Sequence, residues 1–254
     1  MLFALHLPDH TLSPTVTIAA VTIATAVIAA CCGLGWWRKQ RSGAVPSCSA
    51  FAAVVGLVLA VQAVNFPLPG GVTSGHLLGT TAALLLLGPG FGVGAMVAAL
   101  AVQALVFADG GLAALGANVL NMACIAGGAA LVVHRAVLGD RRSTTARAVA
   151  AGVAGWVGSV AAAVACAVEL SLSGVGSPGE TFASLVGPHA LLGLVEGAFT
   201  ALVATLAARE VAGRRTVRTA AVVALAAAAA LLIPASSPLL DPLEAALSAE
   251  TADR

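Results

Sequence analysis

The stretch NFPLPGGVTSGHLLGTTAALLLLGPGFGVGAMVAALAVQALVFADGGLAALGANVLNM, from Asn65 to Met122, decides the fold. Apolar runs alternate there with Gly- and Pro-rich turns, at Pro67 to Gly71, Gly88-Pro89-Gly90 and Asp109-Gly110-Gly111. Such turns stop one helix and begin the next. The stretch sets His76 in a Gly-rich turn and places Gln103, Asp109, Asn118 and Asn121 at or near the ends of the runs that follow. Polar side chains inside a membrane are costly unless paired, so their concentration marks a candidate site. A second reading is equally open at this point, because Asn and Gln also hold helices together and Gly-rich segments also merely turn.

Working outward, the whole chain has the same character. Of 254 residues, 59% are hydrophobic and 9% charged, and tyrosine is absent; the mean hydropathy is +1.01. Soluble domains carry about 25% charged residues, so this is an all-α polytopic membrane protein. At about 20 residues per span the length allows about eight crossings. The expectation is a single bundle of about seven to eight transmembrane helices over residues 15–234. Residues 1–14 would form an extracytoplasmic arm and residues 235–254 a short acidic tail.

The runs expected to span are Thr15–Trp37, Pro46–Val64, Leu77–Gly88, Phe91–Phe107, Leu112–Val133, Ala148–Leu172 and Pro188–Ala208, with an alanine-rich eighth ending at Pro234. The third is short enough for a re-entrant segment. SGVGSPGE, before Pro188, reads as an exposed turn. No Lys or Arg precedes Arg38, and the first apolar run is too long for a cleaved leader, so the first span is expected to remain. Eleven of the twelve Lys and Arg residues fall in three clusters: Arg38 to Arg41, Arg135 to Arg147, and Arg209 to Arg218. Alternate crossings put all three on one side, which the positive-inside rule makes cytoplasmic and which leaves both termini outside.

That topology sorts the histidines. His6, His10, His76 and His189 fall outside, and His134 lies at the inner end. Imidazole is the commonest transition-metal ligand, yet histidine at a membrane interface is also ordinary. Glu196, seven residues after His189, lies on nearly the same helical face and needs a partner if buried. The five cysteines, at 31, 32, 48, 124 and 166, are odd in number and unpaired with histidines, and read as small apolar residues. The only lysine, Lys39, follows an arginine, so no Walker A loop is present, and neither H-E-x-x-H nor G-x-S-x-G occurs. A membrane chain that gathers a ligand outside but carries no ATPase loop suggests a subunit of a larger assembly.

At LHLPDHTLSP and NFPLPGGVTSGHLLG the sequence resembles the substrate-capture subunits of energy-coupling-factor (ECF) cobalt and nickel importers, the CbiM/NikM type. The resemblance continues through LLLLGPGFG, VQALVFADGGLAALGANVLNMA and PHALLGLVEGAFTALV, in that family's order. It implies capture of Co(II) or Ni(II) as the transported ion, outside the cell membrane. It also implies a partner transmembrane coupling subunit, cytoplasmic ATP-binding cassette subunits and, in some systems, a small accessory membrane subunit. No nucleic acid is expected. In such proteins the chain begins Met-His, and the metal is held by the terminal amine, the amide nitrogen and imidazole of that histidine, and the histidine of the SGH motif. Carried onto this sequence, the imidazoles are His6 and His76. His10 is a weaker candidate, and Asn65, Gln103, Asn118 and Asn121 are candidates for the surrounding shell.

Two departures stand out. Here five residues precede the arm histidine, and a start at Leu5, read as methionine, would restore Met-His. ASSPLLDPLE, after the last run, looks like a degenerate copy of a motif found in some relatives. Other readings are a membrane enzyme using Glu196 and His189 as an acid–base pair, and an ECF subunit for an organic vitamin. Nothing in the residues chooses cobalt over nickel, since nitrogen donors suit both.

Overall fold

The computed structural model describes residues 5–42, 45–67 and 74–208. The expected eighth run and the acidic tail lie outside the described residues. Within them the chain is helical: α1 (Pro14–Ser42), α2 (Cys48–Gln62), α3 (Thr80–Leu87), α4 (Pro89–Val102), α5 (Leu115–Val119), α6 (Ala126–Leu138), α7 (Thr144–Leu172) and α8 (Pro178–Ala208). A two-residue antiparallel pair, β1 (Phe66–Pro67) with β2 (Ser74–Gly75), closes the turn before α3. Two π-helical segments, Gln103–Phe107 and Leu120–Ile125, continue α4 and join α5 to α6.

Five helical stretches are long and apolar enough to cross a membrane: Pro14–Gly33, Pro89–Phe107, Leu115–Leu138, Thr144–Leu172 and Pro178–Ala208. Apolar side chains on their outer faces, such as Ile18, Val132, Leu172 and Leu194, are exposed, as lipid contact requires. The chain is a multi-pass membrane protein. Its inner faces combine large apolar side chains such as Met96 and Leu185 with small residues, which let backbones approach where no hydrophobic force drives helices together. On α1, Ala20 and Ala24 are buried, and a Cβ added at Gly116 of α5 would lie 2.9 Å from the Val21 Cα. Between α7 and α8, a Cβ at Gly197 would lie 2.7 Å from the Gly152 carbonyl oxygen.

The expected second span is a 15-residue helix, α2, shorter than the five above, and two further differences from the sequence expectation bear on the site. The run Leu77–Gly88 is helical only from Thr80, and eight residues rise about 12 Å, well short of a bilayer core. Gly79 sits at φ +73°, and the N–H groups of Leu78 and Gly79 are bonded to the Glu196 carboxylate, so the first residues of the run are held outside the helix. Gly88, at φ +82°, then turns the chain directly into α4. α3 and α4 form a tight hairpin in which a Cβ at Gly92 would lie 2.6 Å from the Leu84 Cα.

The second difference is α8, which starts at Pro178 rather than Pro188. The Ser177 hydroxyl donates to Glu180 at 2.5 Å and accepts from its N–H at 3.4 Å, a side-chain N-cap with proline at the first helical position. Pro188 therefore lies inside a helix, where its ring crowds the carbonyl one turn back. His189 follows it and donates through Nδ1 to the Leu185 carbonyl at 2.8 Å.

Candidate metal-binding site

The arm before α1 is buried at Leu5, His6 and Leu7. It runs beside the turn between the first π-helical segment and α5, and is held there as an added strand would be. The Asn118 side-chain amide accepts from the Leu7 N–H at 2.8 Å and donates to the Leu7 carbonyl at 3.2 Å. That carbonyl also accepts from the Gly111 N–H at 2.9 Å. Asp9 accepts from the N–H groups of Ala113 and Ala114, at 2.7 and 3.2 Å, and so caps the turn leading into α5. Gly110, at φ +79°, leaves the room this docking needs, since a Cβ there would lie 3.0 Å from Asn118 Nδ2 and 3.3 Å from His6 Cβ.

His6 Nδ1 is paired with Asp109 Oδ1, and this is the only ion pair among the described residues. Gln103 Nε2 donates to the other Asp109 oxygen at 3.3 Å. The π-helical turn at Gln103–Phe107 ends at Ala108, whose φ of +53° swings the chain so that Asp109 returns toward the arm. A carboxylate on one imidazole nitrogen fixes the ring's orientation and leaves the other nitrogen as the donor. His6 Nε2 is buried and has no hydrogen-bond partner among the described residues.

His76 reaches the same place from the other side. It follows β2 in a non-helical segment, is buried, and its Nδ1 donates to the Leu77 carbonyl at 2.9 Å. That bond puts the ring's lone pair on Nε2. The centroids of the His6 and His76 rings are 5.2 Å apart with planes inclined at 44°. Two tilted imidazoles this close, one anchored to a carboxylate and the other to a carbonyl, are nitrogen donors of the kind that suit a borderline divalent cation. Among the described residues no group of three or more His, Cys, Asp or Glu side chains has metal-holding geometry.

The remaining candidates separate. His10 is exposed in a left-handed turn at φ +66°. Asn118 secures the arm backbone and Gln103 secures Asp109. Asn121, in the second π-helical segment, donates to Glu169 at 2.7 Å instead of turning to either histidine. Asn65 is buried with its Oδ1 lacking a hydrogen-bond partner among the described residues. Glu196 and His189 are both buried on α8, but the Glu196 carboxylate is bonded to backbone N–H groups and His189 to its own helix. No hydrogen bond joins the two among the described residues. Sequence reasoning missed Asp109 as the histidine's partner and Glu169 altogether. The signal for Asp109 was an acid beside paired glycines at the mouth of a span.

Comparison with known proteins bears on this geometry. Residues 6–214 match the family model CbiM, described as the cobalt uptake substrate-specific transmembrane region. A protein of Archaeoglobus fulgidus named for fused nickel transport, NikMN, is 38% identical over 199 residues, covering 78% of this chain and 63% of the relative. The cobalt transport protein CbiM of Geobacter sulfurreducens is 38% identical over 163 residues, covering 59% of this chain and 46% of the relative. The chain thus spans less than two thirds of the length of either. A crystal structure titled as a truncated transition metal transporter superposes with a TM-score of 0.63 at 27% identity, covering 80% of this chain and 95% of that one. These relatives are named for transport and not for catalysis, so the acid–base reading of Glu196 and His189 finds no support among them. By this match over most of its length, the chain belongs to the CbiM family of cobalt-uptake transmembrane proteins.

Proposed function

We propose that this chain is the ion-capturing membrane subunit of an ECF-type importer for cobalt or nickel. It would take up the divalent ion at its outer face and release it inward when partner subunits hydrolyse ATP. The observation that carries the reading is the meeting of His6 and His76 between two otherwise unrelated segments, the arm and the stretch before α3, each pinned by backbone hydrogen bonds. The partners are a transmembrane coupling subunit and cytoplasmic ATP-binding cassette subunits, and the ion is cargo. Equilibrium binding of Co(II), Ni(II) and a panel of vitamins to the purified full-length protein tests it. Submicromolar binding of either metal and none of the vitamins is expected; the reverse removes the reading.

The proposed donor set takes one of two forms, which differ in what they ask of the His6–Asp109 pair. A chelate through the His6 amide nitrogen must close through Nδ1 of the same residue, because Nε2 points away from its own backbone. Nδ1 is paired with Asp109 here, so a chain carrying residues 1–4 offers the Nε2 atoms of His6 and His76 with Asp109 as counter-charge. A chain beginning at Leu5, read as methionine, instead supplies a terminal amine, which loses its proton to a metal far more readily than an internal amide. N-terminal mass spectrometry of protein expressed from its native upstream sequence, paired with metal titration of chains begun at either position, decides between them. Tight binding by the longer chain alone sinks the early-amine form.

A further inference from the structure

Glu196 is the buried acid that transport, as proposed above, does not yet use. Its side chain is 1% exposed and has no cationic partner among the described residues. Its carboxylate is spent on two backbone donors of another segment: Oε2 accepts from the Leu78 N–H at 2.8 Å and Oε1 from the Gly79 N–H at 3.1 Å. Both donors precede the first turn of α3, whose N-terminal cap Gly79 has no side-chain capping bond of its own. An anion there also meets the positive end of the helix.

The same few residues are gripped from the opposite side. Gln62, the last residue of α2, donates through Nε2 to the Leu78 carbonyl at 2.8 Å. A Cβ at Gly79 would lie 3.1 Å from Val61 of α2, and one at Gly75 would lie 2.8 Å from Leu192 of α8. His76 therefore rides on a backbone clamped between α2 and α8, two residues from the first bond to Glu196.

We infer that Glu196 is the positioning residue for His76, and that through it the placement of α8 relative to α2 sets whether the two imidazoles can share an ion. The inference rests on the functional reading given above. A displacement of α8 pulls on Leu78 and Gly79 directly, and through them shifts His76, two residues away, relative to His6. Glutamine at this position keeps the volume but offers one acceptor and turns an N–H₂ group toward the second donor. It should loosen the segment without emptying the space.

The test uses purified full-length protein titrated with Co(II) and Ni(II), reading affinity together with the visible absorption spectrum of the Co(II)-loaded form, which reports ligand geometry. Glu196→Gln and Gln62→Leu are each expected to weaken binding tenfold or more and to change the Co(II) spectrum at saturation. Ser159→Ala, equally buried on α7 but bonded to no part of the segment, is expected to leave both unchanged. Glu196→Ala should exceed Glu196→Gln in effect, and if it fails to insert, the glutamine variant alone decides. Affinity within twofold of the parent in Glu196→Gln overturns the inference, and so does weaker binding with an unaltered spectrum, which would make the residue merely structural. A parent chain that takes up neither metal overturns the functional reading itself.

Discussion

Single residues divide here into the two imidazoles proposed to face the ion and the side chains that hold them. Replacing His76 with alanine removes one imidazole of a pair that nothing nearby can substitute, so high-affinity binding of Co(II) and Ni(II) is expected to disappear in a titration while the protein still inserts and folds. His134→Ala, on the far part of α6, should bind as the parent does. Asp109→Asn keeps the shape but loses the charge that orients His6. Outer partners of metal-binding histidines typically account for 10–100-fold in affinity, and a loss of about that size is expected in the same titration. The sequence singled out both imidazoles through the stretches that carry the family resemblance, and the structure brings their rings to 5.2 Å. Asp109 was visible as an oddity but not as a partner, because its contact with His6 joins residues 103 positions apart. Glu196 invited a chemical role because an acid in an apolar helix is expensive; its partners are main-chain N–H groups, which no sequence labels.

At the scale of elements, the fold departs from regular helices where polar side chains have to be aimed. Gln103 and Asn121 both lie in π-helical turns, wider than an α-turn and often found at functional sites. Hydropathy cannot reveal such turns, since one residue more or less per turn leaves an apolar run equally apolar. The start of α8 was missed for a different reason: SPGE carries a full capping signal, but in a Gly- and Ser-rich setting it reads as a turn. The α3–α4 hairpin depends on glycine in a way that can be measured. Gly92→Ile would drive a branched side chain into the Leu84 backbone, an overpacking that costs about 1–3 kcal/mol or more, and a lower melting midpoint in detergent is expected. Gly128→Ala, with nothing within 4 Å of the added carbon, should match or slightly raise the parent's midpoint, given the better helix propensity of alanine.

For the molecule as a whole, the proposed orientation rests on the distribution of basic residues and can be tested at two serines. Ser177, at the exposed cap of α8, and Ser143, at the exposed cap of α7, stand at opposite ends of successive spans. In a background lacking the native cysteines, Ser177→Cys is expected to react with an impermeant thiol reagent added to intact cells, and Ser143→Cys only after permeabilisation. Reaction of both from the same side would undo the proposed orientation and the outward placement of His6 and His76. Order of synthesis adds a constraint of its own. The arm leaves the ribosome first, yet Asp109 and Asn118, which hold it, emerge more than a hundred residues later. At about 5–20 residues per second the arm waits roughly 5–20 s with nowhere to dock. A nascent chain can therefore hold its arm only once the fifth run lies beside the first, and the bonds that position the stretch after His76 wait longer still, until Glu196 of α8 has been made.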